Sequence, residues 1–169
     1  MKLRFRQVTP LDVPELSSWL SAQSWPYHLH ARVDDAWVRQ RAGDGYFWGP
    51  ETVSWWLDGD AEQPVGLFRV FDLSDVTPLI DLRIAEVSRG MGIGTDALST
   101  GTSFVFETMP DVSRLAGYTR HDNVAMERVF LKAGWVKEAH HRRAWRVLGG
   151  EPVDTVGYAI LRVDWQSAP

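Results

Sequence analysis

The run Arg89-Gly90-Met91-Gly92-Ile93-Gly94 decides how this chain is read. It lies between a strand-like segment, Leu79 to Ala85, and a helix-like segment, Thr95 to Met109. Three glycines at alternate positions therefore fall where a chain would leave a sheet and start a helix. A helix start presents unpaired backbone N–H groups and the positive end of the aligned peptide dipoles. Glycine has no Cβ, so the backbone there can turn sharply and approach a ligand closely. The run predicts a cradle for a phosphate or pyrophosphate. Its donors would be the main-chain amides from Gly90 to Thr95, with Arg89 adding positive charge.

Two familiar glycine loops do not fit. In G-x-G-x-x-G the third glycine would fall on Thr95 or Ala97, so only a loose version ending in Ala survives. A P-loop needs a Gly-Lys pair, and the chain has none. The pattern that remains is (Q/R)-x-x-G-x-(G/A), met by Arg89, Gly92 and Gly94. About thirty residues on stands Asn123-Val124-Ala125-Met126-Glu127-Arg128-Val129-Phe130-Leu131-Lys132-Ala133-Gly134-Trp135. Asn123 can cap a helix. Met126, Val129, Phe130 and Ala133 make one apolar face, and Gly134 supplies the stop.

In order and spacing the two stretches together resemble the two signatures of the GNAT superfamily of acyl-CoA N-acyltransferases. Glu151 to Trp165 is similar to the closing segment of the RimJ/RimL-type branch, and Ile80-Asp81-Leu82-Arg83-Ile84 resembles a strand of aminoglycoside 6′-N-acetyltransferases. The resemblance implies an α/β (α+β) GNAT fold: a mixed, mostly antiparallel sheet of about seven strands with about four helices. It implies acetyl-CoA as cosubstrate and direct acetyl transfer to a primary amine of a small molecule or a protein N-terminus. It further implies that backbone groups of Leu82, Arg83 and Ile84 bond the pantetheine arm, and that Asn123 and Arg128 lie near the pantetheine and the nucleotide end. The coenzyme set is then Leu82, Arg83, Ile84, Arg89, Gly90, Met91, Gly92, Ile93, Gly94, Thr95, Asn123 and Arg128.

Attack by an amine requires loss of a proton, which a carboxylate can take. Asp81 stands inside a strand, where an unpaired charge is costly. It is read either as the base, facing a small cationic amine, or as the partner of Arg83 or Arg69. Glu86 matches the Glu of the same strand pattern. Many family members protonate the leaving thiolate with a Tyr on the second-signature helix. This chain has Phe130 there, and Met126 where the RimJ/RimL branch often has Ser. Tyr118 is the fallback acid, with solvent as the other proton source. These departures keep two readings from other classes open: a non-catalytic acetyl-CoA-binding sensor, and a nucleotide-binding protein of another fold.

Composition sets the bounds. A chain of 169 residues with 44% hydrophobic and 24% charged residues suits one globular domain over 1–169. A net charge of −4 argues against a nucleic-acid partner. No cysteine is present, which excludes disulfides and thiolate chemistry. The opening Met1-Lys-Leu-Arg-Phe-Arg lacks a signal-peptide core, and no run approaches a membrane span. A cytoplasmic monomer or homodimer is expected. His28-Leu29-His30 and His140-His141 form no metal-spaced cluster and are read as surface or acceptor-site histidines. The nine tryptophans are read as packing first and ligand lining second.

Apart from the glycine loop and the Asn123 helix, the predicted elements are plain. Strands are expected at Leu3–Val8, Phe47–Leu57, Val65–Leu73, Leu79–Ala85, Arg114–Thr119, Trp135–Val147 and Val153–Val163. Thr9-Pro10 and Asp34-Asp35 start two helices, the second ending near Gly43. A polar turn is expected over 58–62.

Overall fold

The strands form one sheet, and the near-continuous burial of three of them shows that both of its faces are covered. The computed structural model describes residues 3–60 and 63–167. The strands are β1 (Arg4–Gln7), β2 (Thr52–Asp58), β3 (Gly66–Phe71), β4 (Leu79–Ile84), β5 (Arg114–Arg120), β6 (Val136–Trp145) and β7 (Val153–Leu161). Their order in space is β1-β2-β3-β4-β5-β7-β6. The helices are α1 (Val13–Ser21), α2 (Asp35–Gly43), α3 (Ile93–Thr108), α4 (Val124–Lys132) and the short α5 (Arg162–Gln166).

One face of the sheet packs under α3 and α4, where Phe68, Val70, Leu98, Val105, Phe106 and Phe130 share a buried cluster. The other face packs under α1 and α2, where Leu16, Trp19, Leu20, Val38 and Trp56 are buried together. Phe130 belongs to the apolar face predicted for the Asn123 helix from helical spacing. Local signals hold the helix starts. Asp12 accepts from the Thr9 amide at 2.6 Å before α1. Asp34 accepts from the Trp37 amide at 2.8 Å at the start of α2. Asn123 accepts from the Met126 amide at 3.3 Å at the start of α4.

Every strand pairing is antiparallel except that of β4 with β5, among the described residues. Those two parallel strands are in register at one position, Leu79 with Ala116, and part beyond it. The wedge between them is the feature that positions the site.

Three boundaries differ most from expectation. β2 begins at Thr52 rather than Phe47, because Phe47 is buried against the α1–α2 layer and Gly49-Pro50 turns the chain first. Proline also lacks the N–H a ladder needs. α3 begins at Ile93, since Gly92 serves as its N-cap at φ +83°. The last strand ends at Leu161, and a fifth helix follows. The Arg162 guanidinium donates to the carbonyls of Phe106 (2.6 Å), Met109 (2.8 Å) and Val112 (2.6 Å), while Trp165 Nε1 donates to Ser103 Oγ (2.9 Å). Those bonds pull the chain off the sheet onto the end of α3. Finally, Ala61 and Glu62 of the predicted polar turn, and Met1 and Lys2 of the opening segment, lie outside the described residues.

Candidate active site

The glycine loop leaves β4 through a 3₁₀ turn, Glu86–Ser88, and enters α3. Gly90 and Gly92 hold left-handed φ angles of +76° and +83°. A Cβ on either would meet no protein atom within 4 Å, so the space over the loop is open to a ligand. The amides of Gly90, Met91, Gly92, Ile93 and Gly94 donate to no group among the described residues. The amide of Thr95, by contrast, is spent on the Gly92 carbonyl at 3.0 Å. The predicted cradle is therefore five amides long, and Thr95 lines it with its side chain.

Arg89 does not sit free over the loop. Its Nε donates to the Ile84 carbonyl at 2.9 Å and its Nη2 to the Ser24 carbonyl at 2.7 Å. It works as a clamp between β4 and the segment after α1. Positive charge on the cavity wall comes from Arg89 itself and from Arg128 and Lys132, the last two one turn apart on α4. Lys132 was visible in the second signature but was read there only as a helix residue.

Register settles which groups of β4 face the wedge. The Ala85 amide bonds the Val65 carbonyl, and in an antiparallel ladder alternate residues turn their backbone groups to the same side. Asp81 and Arg83 therefore bond β3 through the backbone. Leu82 and Ile84 turn theirs to the wedge, where the Ile84 carbonyl already accepts from Arg89. Of the three predicted pantetheine residues, Leu82 and Ile84 offer backbone groups and Arg83 does not; Arg83 contributes its side chain.

Two cavities meet here. The first, about 410 Å³, is bounded by the glycine loop, Leu82 to Ile84, and α4 from Asn123 to Lys132. The second, about 380 Å³, is bounded by Trp37, Tyr46, Arg69, Phe71, Asp81 and Tyr118, among others. His28 and Arg83 line both. The open loop, its five free amides and the flanking cations suit a polyphosphate with a long arm, which is the form of coenzyme A.

His28 reaches this junction because its segment is pinned from several sides. The Ser24 amide donates to Glu86 at 2.9 Å, and the Glu86 amide donates to Gln23 at 2.8 Å. Trp25 is buried beneath it, with its ring edge-on to the imidazole at 6.1 Å. His28 Nε2 then lies 3.1 Å from Asp81 Oδ1, while Nδ1 is buried without a hydrogen-bond partner. Burial, then Arg83, then Arg89 lower the pKa of His28 against the pull of Asp81, so the ring is neutral at neutral pH.

Asp81 is the centre of an ion cluster. Its Oδ2 lies 3.4 Å from Tyr46 OH, 3.6 Å from Arg83 Nε and 3.8 Å from Arg69 Nε. Burial would raise its pKa, but Arg83, His28 and Arg69 together hold it well below the usual carboxylate range. A carboxylate so stabilised is a weak base, and both ion pairs weighed from the sequence are present. Tyr118 lies on the wall of the second cavity, 45% exposed, and does not line the first. Phe130 is a core residue stacked on Tyr158, ring centroids 4.7 Å apart.

His28, Tyr46 and Trp37 had no pattern in the chain pointing to one another; only the fold brings residue 28 against residue 81. Among the described residues no group of three or more His, Cys, Asp or Glu side chains could hold a metal ion, and no helix is long and apolar enough to cross a membrane.

Comparison with known proteins matches this geometry. Residues 2–136 fit the family described as "Acetyltransferase (GNAT) domain". A spermidine N-acetyltransferase from Vibrio cholerae, solved with CoA and spermine, is similar over 98% of each chain at 12% identity and a TM-score of 0.81. RimL, a ribosomal L7/L12 alpha-N-protein acetyltransferase solved with coenzyme A, covers 95% of this chain and 94% of its own at 17% identity and a TM-score of 0.78. A search of curated proteins by sequence yields no match. With its loop, wedge and paired cavities in the places this fold requires, the chain belongs to the GNAT acetyltransferase family, whose cosubstrate is acetyl-CoA.

Proposed function

We propose that the first cavity takes acetyl-CoA, the second takes a primary amine, and the acetyl group passes directly between them. The observation that carries this is the meeting of the two cavities at the open end of the β4–β5 wedge, with His28 and Arg83 on both. The structural relatives support an amine acceptor, since their names give spermidine in one case and a protein α-amino group in the other.

Acetyl-CoA supplies an acyl carbon that an amine can attack and a thiol that can leave. The chain does the rest. The amides of residues 90–94, with Arg128 and Lys132, hold the phosphates, and Leu82 and Ile84 present backbone groups to the arm. Asp81 accepts from His28 Nε2–H, which fixes the tautomer and leaves the Nδ1 lone pair for the acceptor. His28 takes one proton from the substrate ammonium and passes it to solvent. The free amine then forms the C–N bond as the C–S bond breaks. Its second proton reaches the departing sulfur through water. Asp81 is thus a positioning residue, and Tyr118 a wall of the acceptor cavity.

The test is acetyl-CoA titration followed by intrinsic tryptophan fluorescence, then thiol release measured against a panel of primary amines. Saturable binding with amine-dependent thiol release is expected. Binding with no release from any amine would instead assign a sensor. Stabilisation by ATP or NAD but not by CoA would overturn the coenzyme site itself.

A further inference from the structure

The charges in the second cavity do not suit a polycation. Asp81 is the one acidic side chain on its wall among the described residues, and it lies between two guanidinium groups. Arg69 and Arg83 are 9% and 5% exposed. One buried carboxylate against two buried arginines leaves an uncompensated positive charge, a costly arrangement unless an anion completes it. Arg41 adds a third cation at the rim, itself paired to Asp44 at 3.8 Å.

The hydrogen-bond pattern points the same way. Eight buried side-chain polar atoms lack a partner among the described residues, and four of them belong to residues of this cavity: Arg69 Nε, Arg83 Nη1, Trp37 Nε1 and His28 Nδ1. Three of the four are obligate donors, so their missing partner is a group rich in acceptor oxygens. Arg69 is also held ready. Its Cζ lies 3.7 Å from the Tyr46 ring centroid and 4.1 Å from that of Phe71, which covers the guanidinium faces, while Nε lies 3.8 Å from Asp81 Oδ2 and Nη2 makes no hydrogen bond among the described residues. Its Nη1 is tied to the Tyr46 carbonyl at 3.2 Å. The remaining wall is flat and apolar, with Trp37, Phe71 and Trp145.

We infer that the acceptor is a small primary amine that also carries a carboxylate, which Arg69 and Arg83 hold while its flat apolar body lies against the aromatic wall. This rests on the reading that the second cavity is the acceptor site. It reverses the expectation of a small cationic amine, which treated Asp81 as a carboxylate free to face a cation. Here Asp81 is already spent on its own arginines. The amine then lies beside His28, and the carboxylate occupies the far, arginine side of the cavity.

The test separates this inference from the transfer reaction by measuring binding without chemistry. N-acetyl derivatives of Phe, Tyr, Trp and Leu, the products expected of such acceptors, are titrated calorimetrically into the protein with CoA present. Each is compared with its decarboxylated partner (N-acetylphenethylamine for Phe), and N-acetylspermidine is included. At least one carboxylate-bearing ligand should bind tenfold or more tighter than its decarboxylated partner. That preference should collapse in Arg69→Met and return in part in Arg69→Lys. A peptide amide starting N-acetyl-Phe-Asp forms a second arm and tells whether a free amino acid or an acidic protein N-terminus supplies the carboxylate. If the decarboxylated partners or N-acetylspermidine bind the wild-type protein as tightly as every carboxylate-bearing ligand, the inference is overturned, even if Arg69 variants fail to fold. Thiol release on the parent amines is scored separately: a carboxylate preference in binding without release would spare this inference and sink the transferase reading.

Discussion

Asp81→Asn separates the positioning role of this residue from a role as base, and its first effect is on stability. The Asp81 side chain is 18% exposed and has His28 at 3.1 Å, Arg83 at 3.6 Å and Arg69 at 3.8 Å. Asparagine keeps an oxygen for His28 or Tyr46 but removes the charge between the two guanidinium groups. Removing one member of a buried ion cluster costs about 3–5 kcal/mol, and the retained oxygen places this change near the lower end, about 3 kcal/mol. For a chain of this size that is a fall in Tm of about 6–12 °C. The effect has a pH signature. The folded-state pKa of Asp81 is depressed, so its contribution is fully present above the unfolded value, about 3.9, and is lost as pH falls through the folded value. The difference between wild type and variant should therefore be fully present at neutral pH, above the titration of His28, and be lost as Asp81 protonates below about pH 4. Thermal unfolding followed by circular dichroism across that range measures it. A Tm within about 2 °C of wild type at neutral pH would refute the ion cluster as described.

Three further outcomes are expected. Gly92→Val imposes φ +83° on a β-branched residue and fills the open space over the loop, so acetyl-CoA binding should weaken tenfold or more by calorimetry; unchanged binding would dismiss the cradle. His28→Gln should lower kcat by about a hundredfold or more with coenzyme affinity kept. In the wild type, burial, Arg83 and Arg89 place the pKa of His28 below 6.5, so kcat/KM should fall only as pH drops into the acid range; a variant that kept this limb and its rate would remove His28 from proton transfer. Arg162→Ala strips three carbonyls of their charged donor at the end of α3, a loss of about 2–3 kcal/mol and about 4–12 °C in Tm, with acetyl-CoA affinity unchanged. A Tm equal to wild type would show that α3 ends well without it.

Much of the frame was legible in the chain because its signals are local. Thr9-Pro10, Asp34-Asp35 and Asn123 mark helix starts through bonds spanning three residues, and Gly90 and Gly92 mark the loop through backbone angles alone. The acceptor side was far less legible. Asp81 read equally well as base or ion-pair partner until the register set Arg69 opposite it. His28 lies 53 residues from Asp81 in the chain, and nothing in its neighbours announces that contact. The clamping bonds of Arg89 were hidden for a similar reason. A cation beside a glycine loop suggests a phosphate ligand, but its guanidinium found the carbonyls of Ile84 and Ser24, the latter 65 residues away. The expected strand ran on through Arg162-Val163, because alternation cannot reveal that the Arg162 guanidinium caps another helix.

The site depends on a parity built into β4. Residues 82 and 84 turn their backbone groups toward the wedge, while residues 81 and 83 bond β3 through the backbone and send their side chains to the acceptor cavity. One strand thus serves the coenzyme with its even residues and the acceptor with its odd ones. The wedge makes this possible: were β5 to stay paired beyond Leu79–Ala116, the amides and carbonyls of Leu82 and Ile84 would be consumed within the sheet. Asp81 and Arg83 must in turn stand two residues apart to share one face, since strand side chains alternate. The pairing of a cationic acceptor cavity with a backbone-lined coenzyme cavity is therefore a consequence of strand geometry, and moving the charged pair by a single position would place both charges on the apolar face under α3.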